Sequence, residues 1–70
     1  MNKVKIDTEY ITLGQFLKAA DIISTGGMAK WFLSEYDVFV NGEQDQRRGR
    51  KLRTGDQIEI PDHGTYIVTE

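Results

Sequence analysis

Arg47, Arg48, Arg50, Lys51 and Arg53 place five of the chain's nine basic residues within seven positions, in a protein whose formal net charge is −2. Guanidinium and ammonium groups at that density suit one task above others, the binding of a polyanion. Arg grips phosphate oxygens with a bidentate fork or stacks on a base, and Lys acts as a point charge. Outside this stretch four basic residues stand against eleven acidic ones, a net of −7, while the cluster carries +5. An acidic surface interrupted by one basic patch repels nucleic acid everywhere except at the patch. A solvated charged loop is the plainer reading of Arg47 to Lys51. Against it stands the mutual repulsion of five like charges, which a bound anion offsets. Arg47, Arg48, Arg50 and Lys51 are therefore expected to clamp phosphates, Arg53 to make a flanking contact, and Gly49 to let the backbone approach closely.

The other candidates lie between residues 26 and 31. Gly26 and Gly27 fall where a second helix begins, so unpaired amides there can face an anion with no side chain in between; a flexible helix start is the alternative. Lys30 sits about 100° around that helix from its apolar stripe and projects outward, as a phosphate contact or as an ordinary exposed lysine. Trp31 lies about 200° from Ala29, opposite the expected core. Base stacking is one reason for a tryptophan in that place; packing beneath the N-terminal segment or the loop after Gly42 is the other. His63, between Asp62 and Gly64, has no second His or Cys to complete a metal site and reads as a turn residue. No P-loop, nucleophile elbow or triad is present, so neither catalysis nor a cofactor is expected.

Seventy residues make one domain, and a chain of that size buries only about 60% of its unfolded surface, too little for a deep catalytic cavity. The absence of Cys removes disulfides and thiolate chemistry and favours a reducing, cytoplasmic setting. The N-terminus has no apolar signal-peptide core and no run approaches a membrane span.

The elements that must position the candidates follow from periodicity. Thr12-Leu13-Gly14-Gln15 fits a capping box, with Ile11 and Phe16 as a hydrophobic staple and Leu13, Phe16, Leu17 and Ala20 on one helical face. Ser24 or Thr25 is expected to cap a second helix that buries Ala29, Phe32, Leu33 and Tyr36 and ends near Asp37. The period then changes to two: Val38 to Val40, a tight turn at Asn41-Gly42, a turn at Thr54-Gly55-Asp56, a strand through Ile58 and Ile60, a turn from Pro61 to Gly64, and a last strand at Tyr66 to Val68. Val4 to Ile6 adds an edge strand. The expected fold is α+β, two short helices packed on a small, mostly antiparallel sheet.

From Thr12 to Ile60 the chain resembles the S-four domain, the αL RNA-binding motif named for a small-subunit ribosomal protein. The resemblance rests on Leu13 and Leu17, on Ser24 to Lys30, on Val38-Phe39-Val40-Asn41-Gly42, and on Leu52, Gly55-Asp56 and Ile58-Glu59-Ile60. Gly26 to Leu33, Val40 to Glu43 and Arg47 to Leu52 look close to the small stand-alone bacterial proteins called YaaA. The resemblance implies an RNA-binding protein whose partner is ribosomal RNA or a ribosomal precursor particle, with a role in ribosome assembly; a monomer is expected. A protein-interaction adaptor that meets an acidic partner also fits the residues, and the resemblance implies a further alternative, the RNA-binding subunit of an RNA-modifying or tRNA-handling complex, because similar domains are often appended to such enzymes.

Overall fold

The computed structural model describes residues 1–70. In chain order the elements are β1 (Asn2–Lys5), β2 (Ile11–Thr12), α1 (Leu13–Ala19), a 3-10 turn (Gly26–Met28), α2 (Ala29–Glu35), β3 (Phe39–Val40), β4 (Glu43–Gln44), β5 (Lys51–Leu52), β6 (Gln57–Ile60) and β7 (Gly64–Thr69). The main sheet has the order β1-β7-β6-β3-β4. Its β1–β7 pairing is parallel and the other pairings are antiparallel. No helix is long and apolar enough to cross a membrane.

The capping box forms as its sequence dictates. The Gln15 amide donates to Thr12 Oγ1 at 3.2 Å, and the Thr12 amide donates to Gln15 Oε1 at 2.9 Å. A seven-residue helix is marginal by itself, so α1 depends on the burial of Leu13, Phe16 and Leu17. Strand alternation supplies the facing layer, with Val38, Val40, Ile58, Ile60 and Val68 fully enclosed. The Asn41-Gly42 turn has positive φ at both residues, 52° and 87°, the geometry of a two-residue hairpin whose twist matches its strands. Asn41 Nδ2 donates to Asp56 Oδ1 at 3.1 Å, while Asn41 Oδ1 accepts from the Gln57 amide at 3.0 Å. The side chain thereby ties this hairpin to the start of β6.

Three expectations need correction. Neither Ser24 nor Thr25 caps α2: Thr25 makes no side-chain capping bond, the Ser24 hydroxyl donates to Met28 Sδ at 3.3 Å, and α2 begins at Ala29 after a 3-10 turn. Two successive glycines are poor α-helix formers, at a cost of about 1 kcal/mol each, and the chain makes its turn there with tighter i to i+3 bonds. Gly26 and Gly27 accordingly lie in that turn rather than in α2. Tyr36 is not core; it is 47% exposed. It is the residue where the helix stops, with extended backbone at φ −125° and ψ 143°, so its side chain leaves the helical stripe and stacks on Phe32 at 4.7 Å.

A separate two-stranded ladder pairs β2 with β5, Ile11 opposite Leu52 and Thr12 opposite Lys51. Both strands are only two residues long, too short to register as alternation. This ladder joins the basic stretch to the start of α1. The Leu13 amide donates to the Arg50 carbonyl at 2.7 Å and the Gly14 amide to the Arg48 carbonyl at 2.9 Å, filling two of the four donors that a helix N-terminus leaves unpaired. Gly14 makes the approach possible. A β-carbon at this position would stand 3.3 Å from Ala29 Cβ and 3.3 Å from the Arg48 oxygen. Gly14→Val is expected to lower the unfolding free energy by about 1–3 kcal/mol, the usual cost of overpacking. Urea denaturation followed by circular dichroism measures it, and unchanged stability would show that the junction has slack.

Candidate nucleic-acid interface

The basic stretch leaves the main sheet at β4 and is organised by one carboxylate. Asp45 is 7% exposed, and its amide continues the ladder to the Val38 carbonyl at 2.9 Å. Its Oδ1 accepts from the Arg47 amide at 2.9 Å and from Arg47 Nε at 3.0 Å. Its Oδ2 accepts from Arg47 Nη2 at 2.7 Å and from Arg50 Nη1 at 2.8 Å. Arg47 is therefore bidentate, the strongest arrangement open to this pair. The Arg47 side-chain bonds hold the Asp45 carboxyl far below the usual carboxylate range; burial pushes the other way and is outweighed by these bonds together with the Arg47 amide and Arg50. The same contact raises the Arg47 pKa further.

Two of the five cations thus share an internal partner. Arg47 still presents a 72% exposed side chain, whereas that of Arg50 is 29% exposed. Arg48, Lys51 and Arg53 form no ion pair and are exposed. The Arg53 amide donates to Asp56 Oδ2 at 2.8 Å, which fixes the backbone and leaves the guanidinium free. Arg47, Gly49, Arg50, Lys51 and Arg53 line one continuous groove with Asp56. A second groove, between α1 and the 3-10 turn, brings Arg48 and Gly49 together with Gly26, Lys18, Gln15 and Thr12. Of the two glycines, Gly26 faces this groove. Gly27 is also exposed, and a methyl group built on it would touch nothing but Thr25 Oγ1 at 4.0 Å.

Lys30 and Trp31 stand on α2 outside both grooves. Lys30 is exposed. Trp31 is 52% exposed, and its ring meets Tyr36 edge-on at 6.1 Å. Phe32 in turn touches His63, in the turn between β6 and β7, at 6.0 Å. The four rings make an aromatic cluster at the end of α2 that runs from the exposed Trp31 and Tyr36 to the buried Phe32.

Three residues of the site were missed by sequence reasoning. Asp45 hid among many acidic residues, although an Asp two positions before an Arg is the spacing at which a carboxylate bonds the downstream amide. Lys18, one turn beyond Gly14 on α1, joins the second groove. Tyr10 lies beneath Lys51 Nζ at 5.0 Å and Arg53 Cζ at 5.4 Å from its ring centre, contacts that at exposed sites contribute about 0.5–1 kcal/mol.

A sequence model of the S4 domain family matches residues 4–69. A curated protein of Bacillus subtilis (strain 168), named "Probable ribosome maturation protein RlbA", is 64% identical over 67 residues, which cover 96% of this chain and 94% of that protein.

The Asp45 arrangement carries a prediction with a defined pH dependence. Asp45→Asn is expected to cost about 0.5–1.5 kcal/mol at pH 7, because an amide cannot accept on both sides and the Arg47 and Arg50 guanidiniums lose their charged partner, a loss that water at the exposed Arg47 partly offsets. The folded-state pKa is depressed, so the wild-type advantage is fully present above the unfolded carboxylate pKa of about 3.9 and is lost as pH falls below it. Denaturation curves should therefore differ by a constant amount from pH 7 down to about pH 4 and converge at lower pH. Equal stability of the two proteins at pH 7 would refute the role assigned to Asp45.

Proposed function

The chain belongs to the S4 domain family, and from that premise we propose that it binds structured RNA through the loop from Arg47 to Arg53 and acts in ribosome maturation. The observation that carries the reading is the set of three cations without acidic partners, Arg48, Lys51 and Arg53, presented by a loop whose backbone is held from both sides. A loop ordered before binding loses little entropy when it docks. Arg48, Lys51 and Arg53 take phosphates outright. Arg47 and Arg50 add the donors that Asp45 leaves free, and the Gly26 and Gly27 backbone admits a phosphate near Arg48. Lys30 extends the footprint along α2, and Trp31 offers a stacking face to an unpaired base. Contacts of this kind position the protein, and discrimination among RNAs comes from shape.

The name of the Bacillus relative supports ribosomal RNA, or a precursor particle, as the target. Residues 1–70 serve as one binding domain, monomeric and non-enzymatic, in the cytoplasm. The groups named above bind and orient; the reading asks for no bond to be made or broken and for no cofactor.

Binding to a ribosomal RNA fragment is expected to weaken steeply with salt, with a log–log slope of about −3.5 to −4.5 for five neutralised phosphates at about 0.7–0.9 each. The informative variant removes the three unpaired cations together, as Arg48→Gln, Lys51→Gln and Arg53→Gln, and leaves both partners of Asp45 in place. It should flatten the slope by about 2–3. In cells, crosslinking followed by sequencing of the attached RNA should yield discrete ribosomal RNA sites for the wild type that this variant loses. A wild-type protein that recovers no RNA above an untagged control would overturn the reading.

A further inference from the structure

The outward face of the β2–β5 ladder offers a contact that phosphate binding alone leaves unused. Ile11 stands opposite Leu52 and Thr12 opposite Lys51, so the antiparallel register places Tyr10 opposite Arg53. Side chains alternate across a strand. Leu52 is fully buried and Ile11 packs against the core; Tyr10, Lys51 and Arg53 therefore share the opposite, solvent-facing side. Tyr10 is 38% exposed, with Lys51 Nζ 5.0 Å and Arg53 Cζ 5.4 Å from its ring centre. Its backbone is restrained as well, since the Thr8 hydroxyl donates to the Tyr10 carbonyl at 2.9 Å.

We propose that Tyr10 is a stacking platform for one unpaired RNA base, with Lys51 and Arg53 taking the phosphates on either side of that nucleotide. The proposal rests on the RNA-binding reading above and adds to it the class of nucleotide recognised at this point. Neither cation is held by a carboxylate, and both sit toward the outer part of the roughly 6 Å range of ring attraction. A phosphate is the stronger partner for each, so RNA draws them to the edge of the ring and leaves its face to the base. A paired base cannot reach it, because a duplex keeps its bases stacked inside the helix; the ligand is a nucleotide in a loop, bulge or end. Arg53 also borders a neighbouring groove, whose other charged lining residues are Asp7, Glu9 and Glu70. That acidic wall repels a continuing strand and makes Tyr10 the last base contact on its side.

The test compares Tyr10→Leu, which removes the ring and keeps an apolar side chain, with Tyr10→Phe, which keeps the ring. The probes are an RNA hairpin with a single-stranded loop and a blunt-ended RNA duplex with the same number of phosphates. Tyr10→Leu should weaken hairpin binding about tenfold or more, the loss expected for one stacked base. Tyr10→Phe should stay within about twofold of wild type, and neither variant should change duplex binding, because no base is stacked in either case. Unchanged hairpin affinity in Tyr10→Leu overturns the proposal. An equal loss on both probes also overturns it, since Tyr10 would then only order Lys51 and Arg53. The variant with Arg48, Lys51 and Arg53 changed to Gln separates the two levels: if it binds both probes like wild type, the assignment of RNA binding to this loop fails, and the platform with it. Should Tyr10→Leu not fold, photocrosslinking of wild type to a hairpin carrying 4-thiouridine in its loop decides by mass spectrometry. Adducts on Tyr10 support the platform, and adducts elsewhere without Tyr10 overturn it.

Discussion

Two hydrogen bonds hold this protein's chemistry to its fold: the amides of Leu13 and Gly14, at the start of α1, donate to the carbonyls of Arg50 and Arg48. A helix N-terminus must satisfy its free donors somewhere, and here the basic stretch supplies the acceptors. The consequence runs in both directions. The helix gains a cap beyond Thr12, and a segment that would otherwise be a charged, mobile loop acquires a backbone fixed against the core. The absence of a side chain at Gly14 permits the arrangement, because Ala29 and the Arg48 carbonyl already occupy the space a β-carbon would need to share.

The second constraint is electrostatic. Five positive charges in seven positions repel one another, and Asp45 relieves part of that repulsion from beneath the loop. Its carboxylate spends its accepting capacity on Arg47 and Arg50. Only the carboxylate is buried, so it is the charge that would be stranded if its arginine partners were removed. The division of labour follows: Arg47 and Arg50 give the loop its shape, while Arg48, Lys51 and Arg53 remain free for an external anion. Equal treatment of the five residues, natural from composition, merges these two roles.

Much of the fold was legible in the sequence because its signals are local. The capping box at Thr12 and Gln15, the left-handed turn at Asn41-Gly42 and the alternation through Ile58 and Ile60 each depend on a few adjacent residues, and each forms as expected. Val4 lies on the expected edge strand, which pairs in parallel with the last one. The misreadings at α2 come from the same kind of reasoning applied where a local preference competes with another. Serine and threonine favour helix caps, yet the glycines that follow favour a tighter turn; Tyr36 has the spacing of the core, yet the helix ends beneath it.

By itself the sequence determined where the basic residues concentrate and which α+β elements surround them, since charge density and hydrophobic period are properties of neighbouring residues. Only the tertiary structure decided which cations are available and what stands beside them. Tyr10 meets Lys51 and Arg53 through a ladder of two-residue strands, and Gly26 lines one groove with Arg48 across the α1 junction. Such contacts join residues far apart in the chain, and their energy comes from closing the core around Leu13, Phe16, Leu17 and Leu52. No local preference encodes a pairing that exists only once that core has formed.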